Sequence, residues 1–315
     1  MVKINRRGGQ NLSDTVVKIP RYKQTSDYLQ QHYSKNNFNS SDNWILLNPI
    51  ETNIKNKIEQ YGTPLSEWNI QINYGIKTGY NDAFIINEST KNALIASDPK
   101  SEELIRPILR GKDIKRYSYE FARLWVIYVP CGYTNNHKGN SDPETWFKKT
   151  HPSIYSYLIN TEMELSKNRS KKSKGLYKRD DQGDYWWELR SCKYLDDFNK
   201  QKLIWTPVNS EYKFTIIPEG YFFNNSIFMI TGNDLYYLCG ILNSSLYRKY
   251  FEMVFTNGSY NYGSASSIKK LPIIKLPNEI HSNIEELVKI ILSENKLELC
   301  SQIDNLIYTS LGIKE

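Results

Sequence analysis

Two short segments combine glycine with cationic and hydroxyl side chains beside apolar runs. In the first, YGIKTGYNDAFII over residues 74–86, Gly75 and Gly79 bracket Lys77 and Thr78. Glycine permits positive φ angles and a close approach of the backbone to a ligand. A lysine and a hydroxyl held there can meet a phosphate through charge and backbone N–H groups. The segment indicates an anion-binding turn, and an ordinary turn with solvated charges is the alternative.

The second segment follows about thirty residues later and reads LRGKDIKRY over residues 109–117. Its cations surround a glycine and an aspartate, and a tyrosine closes the group. The same two interpretations apply to it. The cations of this segment are Arg110, Lys112, Lys115 and Arg116.

Two loops have compositions that suit a polyanion. Residues 165–179 hold seven basic residues in fifteen and no acid, and tyrosines and tryptophans follow them. Cations bind phosphates and aromatic rings support them, so a DNA-facing loop is favoured over an idle solvated one. Trp186-Trp187 is expected to pack in the fold rather than stack on bases. Residues 256–267 are rich in glycine, serine and asparagine, which suits a flexible connector or a groove-facing loop, because asparagine pairs with the adenine edge.

These segments give the candidate contacts to DNA. The cations and hydroxyls of the turns and the basic loop are expected on phosphates, whereas Arg190 and the polar residues of 256–267 are expected on base edges. The candidates are Lys77, Thr78, Gly79, Asn81, Arg110, Lys112, Arg116, Lys167, Arg169, Lys171, Lys172, Lys174, Lys178, Arg179, Arg190, Asn257, Ser259, Tyr260 and Asn261.

The elements around these residues predict an α+β fold. We expect a mixed, largely antiparallel sheet with flanking helices, long basic loops and a C-terminal helical tail. A linker or arm is expected over 1–43, a recognition domain over 44–277, and a tail over 278–315. Strands are predicted over 83–86, 124–129, 202–208, 212–217 and 222–230, and helices over 53–61, 153–166, 234–251, 279–298 and 300–311.

The charge distribution also favours a polyanionic partner. The 315 residues carry a formal net charge of +7, with 37 Lys/Arg against 27 Asp/Glu up to residue 270 and four against seven after it. A basic body with a mildly acidic tail suits nucleic acid or an acidic protein. The four cysteines lack CxxC spacing, so neither a zinc site nor disulfides are indicated. Without a signal peptide or a membrane-length apolar run, we expect a cytoplasmic protein.

The two glycine segments and several later ones resemble a known family. In order along the chain come GIKTGYNDAFII, LRGKDIKRY, LWVIYV (124–129), YWWELR (185–190), QKLIW (201–205), LCGILNSS (238–245) and LPII (271–274). Together they are similar to the TaqI-like C-terminal specificity domain, over roughly residues 44–312. That domain is the target-recognition part of adenine-specific DNA methyltransferases and of fused type II restriction-modification enzymes.

The resemblance implies sequence-specific recognition of double-stranded DNA. A catalytic domain, in cis or in trans, would bind S-adenosylmethionine and flip the adenine from the other side of a cleft. The catalytic loop of that domain has two adjacent prolines and an aromatic residue. This chain has no Pro-Pro dipeptide, and Asn48-Pro49-Ile50 lacks the second proline and the ring. We therefore expect no catalytic residue, metal or cofactor in this chain.

Two alternatives remain at this point. Asp197, Glu211 and Lys213 have the spacing of a Mg²⁺-dependent nuclease, although such short matches are common in charged chains. The helices over 279–311 could instead make the chain an interaction module that docks on a methyltransferase. The sequence gives neither the DNA target nor the location of the catalytic domain.

Overall fold

The structure is a computed structural model that describes residues 13–16, 34–37, 47–167, 174–206, 212–255 and 268–313. The described helices are α1 Pro49–Tyr61, α2 Asn81–Phe84, α3 Glu88–Ser97, α4 Tyr133–His137, α5 Pro143–Thr150, α6 Pro152–Lys167, α7 Leu235–Asn243, α8 Ser245–Phe255, α9 Asn278–Glu294 and α10 Cys300–Leu311. The described strands are β1 Ser13–Val16, β2 Ser34–Asn37, β3 Gly62–Pro64, β4 Ile70–Tyr74, β5 Ile85–Asn87, β6 Ile105–Leu109, β7 Ile114–Lys115, β8 Ser118–Tyr119, β9 Leu124–Ile127, β10 Lys202–Trp205, β11 Phe214–Ile217, β12 Phe222–Phe223, β13 Phe228–Gly232 and β14 Pro272–Ile274.

The predicted α+β class is confirmed, and the strands form several small sheets. One four-stranded sheet is antiparallel throughout, in the order β11-β10-β13-β4. A second has the order β12-β6-β9-β5 and is mixed, because β12 runs parallel to β6. Strands β1-β2, β3-β14 and β7-β8 pair separately. Within the described residues, no helix is long and apolar enough to cross a membrane.

The chain divides into two compact units. One is formed by the described parts of Met1–Trp68, Ser244–Leu287 and Glu298–Glu315, and the other by Asn69–Asn243 and Val288–Leu297. The division predicted from the sequence into arm, recognition domain and tail stays a prediction.

The first unit is built on capped helices and a short strand pair. Helix α1 begins at a capping box, in which Asn48 accepts the N–H of Glu51 and the Glu51 carboxylate accepts that of Asn48. Asn48-Pro49 is thus a helix start, with proline at the first position where its missing N–H costs nothing. The buried Ile54 and Ile58 lie on one face of α1, four residues apart, and α1 packs against α8.

The core of the second unit lies between sheets and helices. All four residues of β10 are buried, and Trp205 pairs with Phe214 on one side and Phe228 on the other. Both faces of this strand are covered, which explains its continuous apolar run. Lys202 is the exception in that run: its ammonium donates to the carbonyls of Phe198 and Pro218 at 2.9 and 3.2 Å.

Several of the predicted elements are wrong in their bounds. The strand predicted over 222–230 is divided into β12 and β13, because the chain turns between them and the Ile227 N–H donates to the Asn224 carbonyl. Residues 83–86 were predicted as a strand, but Ala83 and Phe84 lie in the helical turn α2 and the strand begins at Ile85. The helix predicted over 234–251 ends at Asn243 and restarts at Ser245. The Asn243 side chain accepts the backbone N–H of Phe214 and donates to its carbonyl, so it binds the edge of β11 instead of continuing the helix.

Candidate nucleic-acid interface

The first glycine segment leaves strand β4 through a close backbone contact. The N–H of Gly75 donates to the carbonyl of Ile227 at 2.9 Å, and that of Ile76 donates to Phe223 at 2.8 Å. A Cβ at position 75 would overlap the carbonyl oxygens of Phe223 and Asn224. Glycine is needed here for close approach, and it places Lys77 just beyond the strand end.

Lys77 faces a cleft of about 290 Å³ that two chain segments line. Tyr74 to Lys77 form one wall, and Arg190 to Tyr194 form the other. The cleft therefore brings together Lys77 and Arg190, which are far apart in sequence, and adds Lys193. Of the three cations, Lys77 and Lys193 have no carboxylate within 4.0 Å among the described residues, so they are available to an anion.

Aromatic rings stiffen the same cleft. The rings of Tyr74 and Tyr194 meet edge to face with centroids 5.6 Å apart, and Tyr74 also meets Phe228 at 6.5 Å. Burial, more than the neighbouring Cys192 and Tyr74, raises the pKa of Tyr194. Burial likewise raises the pKa of Cys192, so its thiol stays protonated at neutral pH. The cleft thus presents cations against neutral aromatic walls.

A buried arginine links the two segments that adjoin the walls. Arg179 is 3% exposed, and its guanidinium donates to the carbonyls of Thr78, Leu176, Trp186 and Glu188. The group also lies over the ring of Phe84, 4.6 Å from its centroid. Burial lowers the pKa of Arg179 to about 10, which leaves it charged at neutral pH.

A buried carboxylate fixes the turn that follows. Glu188 accepts the backbone N–H groups of Gly132, Thr134 and Asp184 at 2.9–3.1 Å. Between Arg179 and Leu189 the chain forms a narrow hairpin. In it, Gln182 pairs with Leu189, and the Gly183 N–H donates to the Glu188 carbonyl. We call residues 181–190 the recognition hairpin.

The open end of the recognition hairpin carries an ion pair. The Arg190 guanidinium donates to the Asp181 carboxylate at 3.2 Å, and the Arg190 N–H donates to the Asp181 carbonyl at 3.2 Å. The Arg190 side chain is 54% exposed and that of Asp181 25% exposed. A Cβ at Gly79, where φ is +67°, would lie 3.1 Å from Asp181, so the first glycine segment packs directly on this pair.

Other candidates in the first segment serve the fold. Thr78 is buried, and its hydroxyl lies 2.6 Å from the Asn81 side chain while it accepts the N–H of Tyr80 at 3.2 Å. A phosphate would reach Thr78 or Arg179 only if these side chains left their protein partners. Their assignment as DNA contacts, like that of Gly79 and Asn81, stays a prediction.

None of the residues of the second glycine segment lines the cleft. Arg110 makes a two-point contact with Asp113, through Nε at 3.1 Å and Nη2 at 2.9 Å. Arg116 donates to the carbonyl of Asn243 at 2.8 Å. Lys112 is exposed, and no partner is found for it in the described chain. Lys115 lies 3.8 Å from the Glu120 carboxylate, so Lys112 is the cation of this group without a partner among the described residues.

The basic loop is described only at its ends. Lys167 and Lys178 are exposed, and Lys174 pairs with Asp180 at 2.5 Å. Trp187 is buried and donates to the Thr134 hydroxyl at 2.9 Å, so this ring packs in the fold. The candidates that lie outside the described residues are Arg169, Lys171, Lys172, Asn257, Ser259, Tyr260 and Asn261.

The sequence reasoning missed the second half of the cleft. Lys193 and Tyr194 follow Arg190 within four residues, with no acid between them. The same mixture of cation and ring identified residues 165–179 and the aromatic residues after them, so this signal was present. Asp181 had no such signal, because only the hairpin brings it beside Arg190.

Carboxylates of two other groups are already used. Asp197, from the predicted nuclease set, accepts Asn73 at 2.7 Å and Lys200 at 2.8 Å. Glu211 lies outside the described residues, so that set stays a prediction. Cys131, Asp184 and Glu188 place ligand atoms within 4.8 Å of one another, but the oxygens of Glu188 already accept three backbone N–H groups. That arrangement suits a structural carboxylate better than a metal ligand.

Comparison with known proteins identifies the family. The TaqI-like C-terminal specificity domain matches residues 106–273, slightly more than half of the chain. The chain belongs to the TaqI-like C-terminal specificity domain family. The recognition hairpin and strands β7 to β13 all fall within the matched range.

A curated relative and two solved structures are similar to this chain. The type II methyltransferase M.MjaIV of Methanocaldococcus jannaschii is 25% identical over 261 residues, which are 77% of this chain and 79% of that protein. The type IIL restriction-modification enzyme MmeI, solved in complex with DNA, shares the fold at a TM-score of 0.54 and 14% identity over 80% of this chain. The type IIG restriction endonuclease BpuSI aligns over 83% of this chain with a TM-score of 0.45 and 14% identity. This chain spans about a third of the length of each of these two structures.

Proposed function

We propose that this chain is the DNA specificity domain of an adenine-specific type II methyltransferase or restriction-modification enzyme. The observation that carries the proposal is the cleft in which Lys77, Arg190 and Lys193 converge between tyrosine walls. Cations supply most of the affinity of a protein for duplex DNA, and fixed polar groups supply the choice of sequence. Membership of the family supports this assignment.

The catalytic step belongs to another domain in this proposal. The chain carries no Pro-Pro dipeptide for a flipped adenine. An associated catalytic domain would bind S-adenosylmethionine and supply the methyl transfer, while this chain places the complex on its target. The chain alone is then expected to bind DNA and to leave it unmethylated.

The test measures binding of the full chain to random-sequence duplex DNA across a salt series, followed by sequencing of the bound fraction. We expect affinity that falls steeply with salt and an enriched short motif. In Lys77→Ala/Lys193→Ala, the slope of log affinity against log salt should be shallower by about 2, because each lost phosphate contact removes about 0.9.

The matched control is Lys100→Ala/Lys149→Ala, which removes the same charge from exposed lysines that do not line the cleft. It should leave most of the slope intact. Equal slopes in the two double variants would refute the cleft as the binding surface. A wild-type chain that fails to bind duplex DNA at low salt would overturn the proposed function itself.

A further inference from the structure

The cations of the cleft differ in whether a carboxylate lies beside them. This difference favours phosphate contacts for the lysines and a base contact for the arginine. Lys77 and Lys193 have no carboxylate partner within the described part of the chain. Arg190 has one, since its Nη1 lies 3.2 Å from the Asp181 carboxylate. A phosphate on Arg190 would therefore sit close to a second anion, and the two negative charges would repel each other.

A base edge carries no such penalty. The major-groove edge of guanine is uncharged and offers two acceptors, O6 and N7, to a bidentate arginine. The contact with Asp181 uses Nη1, and within the described residues nothing accepts from the other N–H groups of the guanidinium. An arginine held in this way is oriented before DNA arrives and loses less rotamer freedom on binding.

The hairpin makes this orientation rigid. Asp181 and Arg190 are joined by a backbone hydrogen bond as well as by their side chains. Just inside this pair, Gln182 bridges Leu189. Arg179 donates to the carbonyls of Trp186 and Glu188, and the Glu188 carboxylate accepts the N–H of Asp184. A second arginine of the unit shows the contrast, because Arg110 already directs both Nε and Nη2 at Asp113.

We infer that Arg190, oriented by Asp181, reads a guanine in the target sequence, while the unpaired lysines of the same cleft hold the phosphates. This inference rests on the proposed function and adds to it a base and the residues that select it. Arg190 would be the reading residue and Asp181 the positioning residue, which also rejects phosphates from that guanidinium.

The experiment compares the sequences that full-length variants select from random duplex DNA. In Arg190→Ala, preference for guanine at one position should fall about ten-fold or more, while the other positions keep their preference. In Asp181→Asn, preference at the same position should weaken while affinity for random DNA rises, because a negative charge has been removed from the cleft. Both residues are at the surface, and thermal unfolding of each variant checks that the fold is retained.

Two variants serve as controls. Asp180→Asn removes the neighbouring carboxylate, which pairs with Lys174 rather than Arg190, and should leave the selected motif unchanged. Lys193→Ala should lower affinity for all sequences alike. The inference is overturned if Arg190→Ala lowers affinity uniformly with every base preference intact, or if Asp180→Asn and Asp181→Asn behave alike. Failure of the wild-type chain to bind DNA would instead remove the proposed function.

Discussion

Single buried charges hold the cleft together. Arg179 shows this most directly, because one guanidinium satisfies carbonyls from three places in the chain: Thr78 in the first glycine segment, Leu176 in the basic loop, and Trp186 and Glu188 in the recognition hairpin. Each buried carbonyl that loses its donor costs stability. Arginine suits this position because its donors spread over a rigid plane, which no other side chain offers.

Arg179→Lys should therefore destabilise the chain although it keeps the charge. An ammonium group cannot reach all four carbonyls, so we expect the free energy of unfolding to fall by about 2–4 kcal/mol in urea denaturation. Lys178→Ala, at the exposed neighbouring position, should change it by less than about 0.5 kcal/mol. An Arg179→Lys variant as stable as the wild type would show that the carbonyls find other donors.

For single residues, the sequence showed which cations were candidates but not which of them face solvent. Lys77 and Arg190 were singled out from turn chemistry and loop composition, and both line the cleft. Thr78 and Arg179 were singled out by the same reasoning and are buried. A basic run does not distinguish a cation that faces solvent from one that binds carbonyls, because the distinction depends on distant backbone groups.

At the scale of the elements, the packing at the end of β4 fixes the position of the first glycine segment. The backbone at Gly75 lies against residues 223–227 too closely for any side chain, and two hydrogen bonds fix it there. The segment was recognisable from its glycines. Its packing partner was not, because the contact joins residues about 150 positions apart.

Gly75→Ala should push the end of β4 away from its neighbour. We expect a loss of about 3 kcal/mol or more in the free energy of unfolding, since the overlap is with backbone and not with a flexible side chain. Gly139→Ala is the matched control: φ is +56° there, and nothing lies within 4 Å of the added Cβ. The left-handed conformation alone should cost about 1–2 kcal/mol. Equal losses in the two variants would contradict the close contact.

Helix bounds illustrate a limit of pattern reading. The sequence predicted one helix over 234–251, which contains Asn243-Ser244-Ser245, residue types whose side chains compete with helical hydrogen bonds. The structure breaks the helix there because the Asn243 side chain binds both backbone groups of Phe214. Local composition thus marked the position of the break, and its cause lies in a strand about thirty residues earlier.

For the molecule as a whole, stability should depend on pH in the alkaline range through Lys202. Burial lowers the pKa of this lysine from 10.5 to about 8. Above pH 8 the folded chain releases the proton while the unfolded chain keeps it until about 10.5. The unfolded state then binds more protons, so the free energy of unfolding rises with pH across this window, by up to about 3 kcal/mol.

The measurement is the difference between wild type and Lys202→Met in urea unfolding from pH 7.5 to 10. Methionine has similar length and no titrating group, so the free energy of unfolding of the variant minus that of the wild type should fall as the pH rises. The comparison also cancels the contribution of the buried tyrosines, which titrate higher. A difference that stays constant with pH would show that Lys202 keeps its ordinary pKa in the fold.

In the recognition hairpin, the residues that hold the shape differ from the residues at the open end, and this has a consequence for protein engineering. The shape of the hairpin depends on the buried Arg179 and Glu188, whereas Arg190 is 54% exposed and Asp181 25% exposed at its open end. That pair can then be exchanged without rebuilding the support beneath it. A library randomised at 181 and 190 alone should yield many folded members, and under the proposed base contact some of them should select a new target sequence.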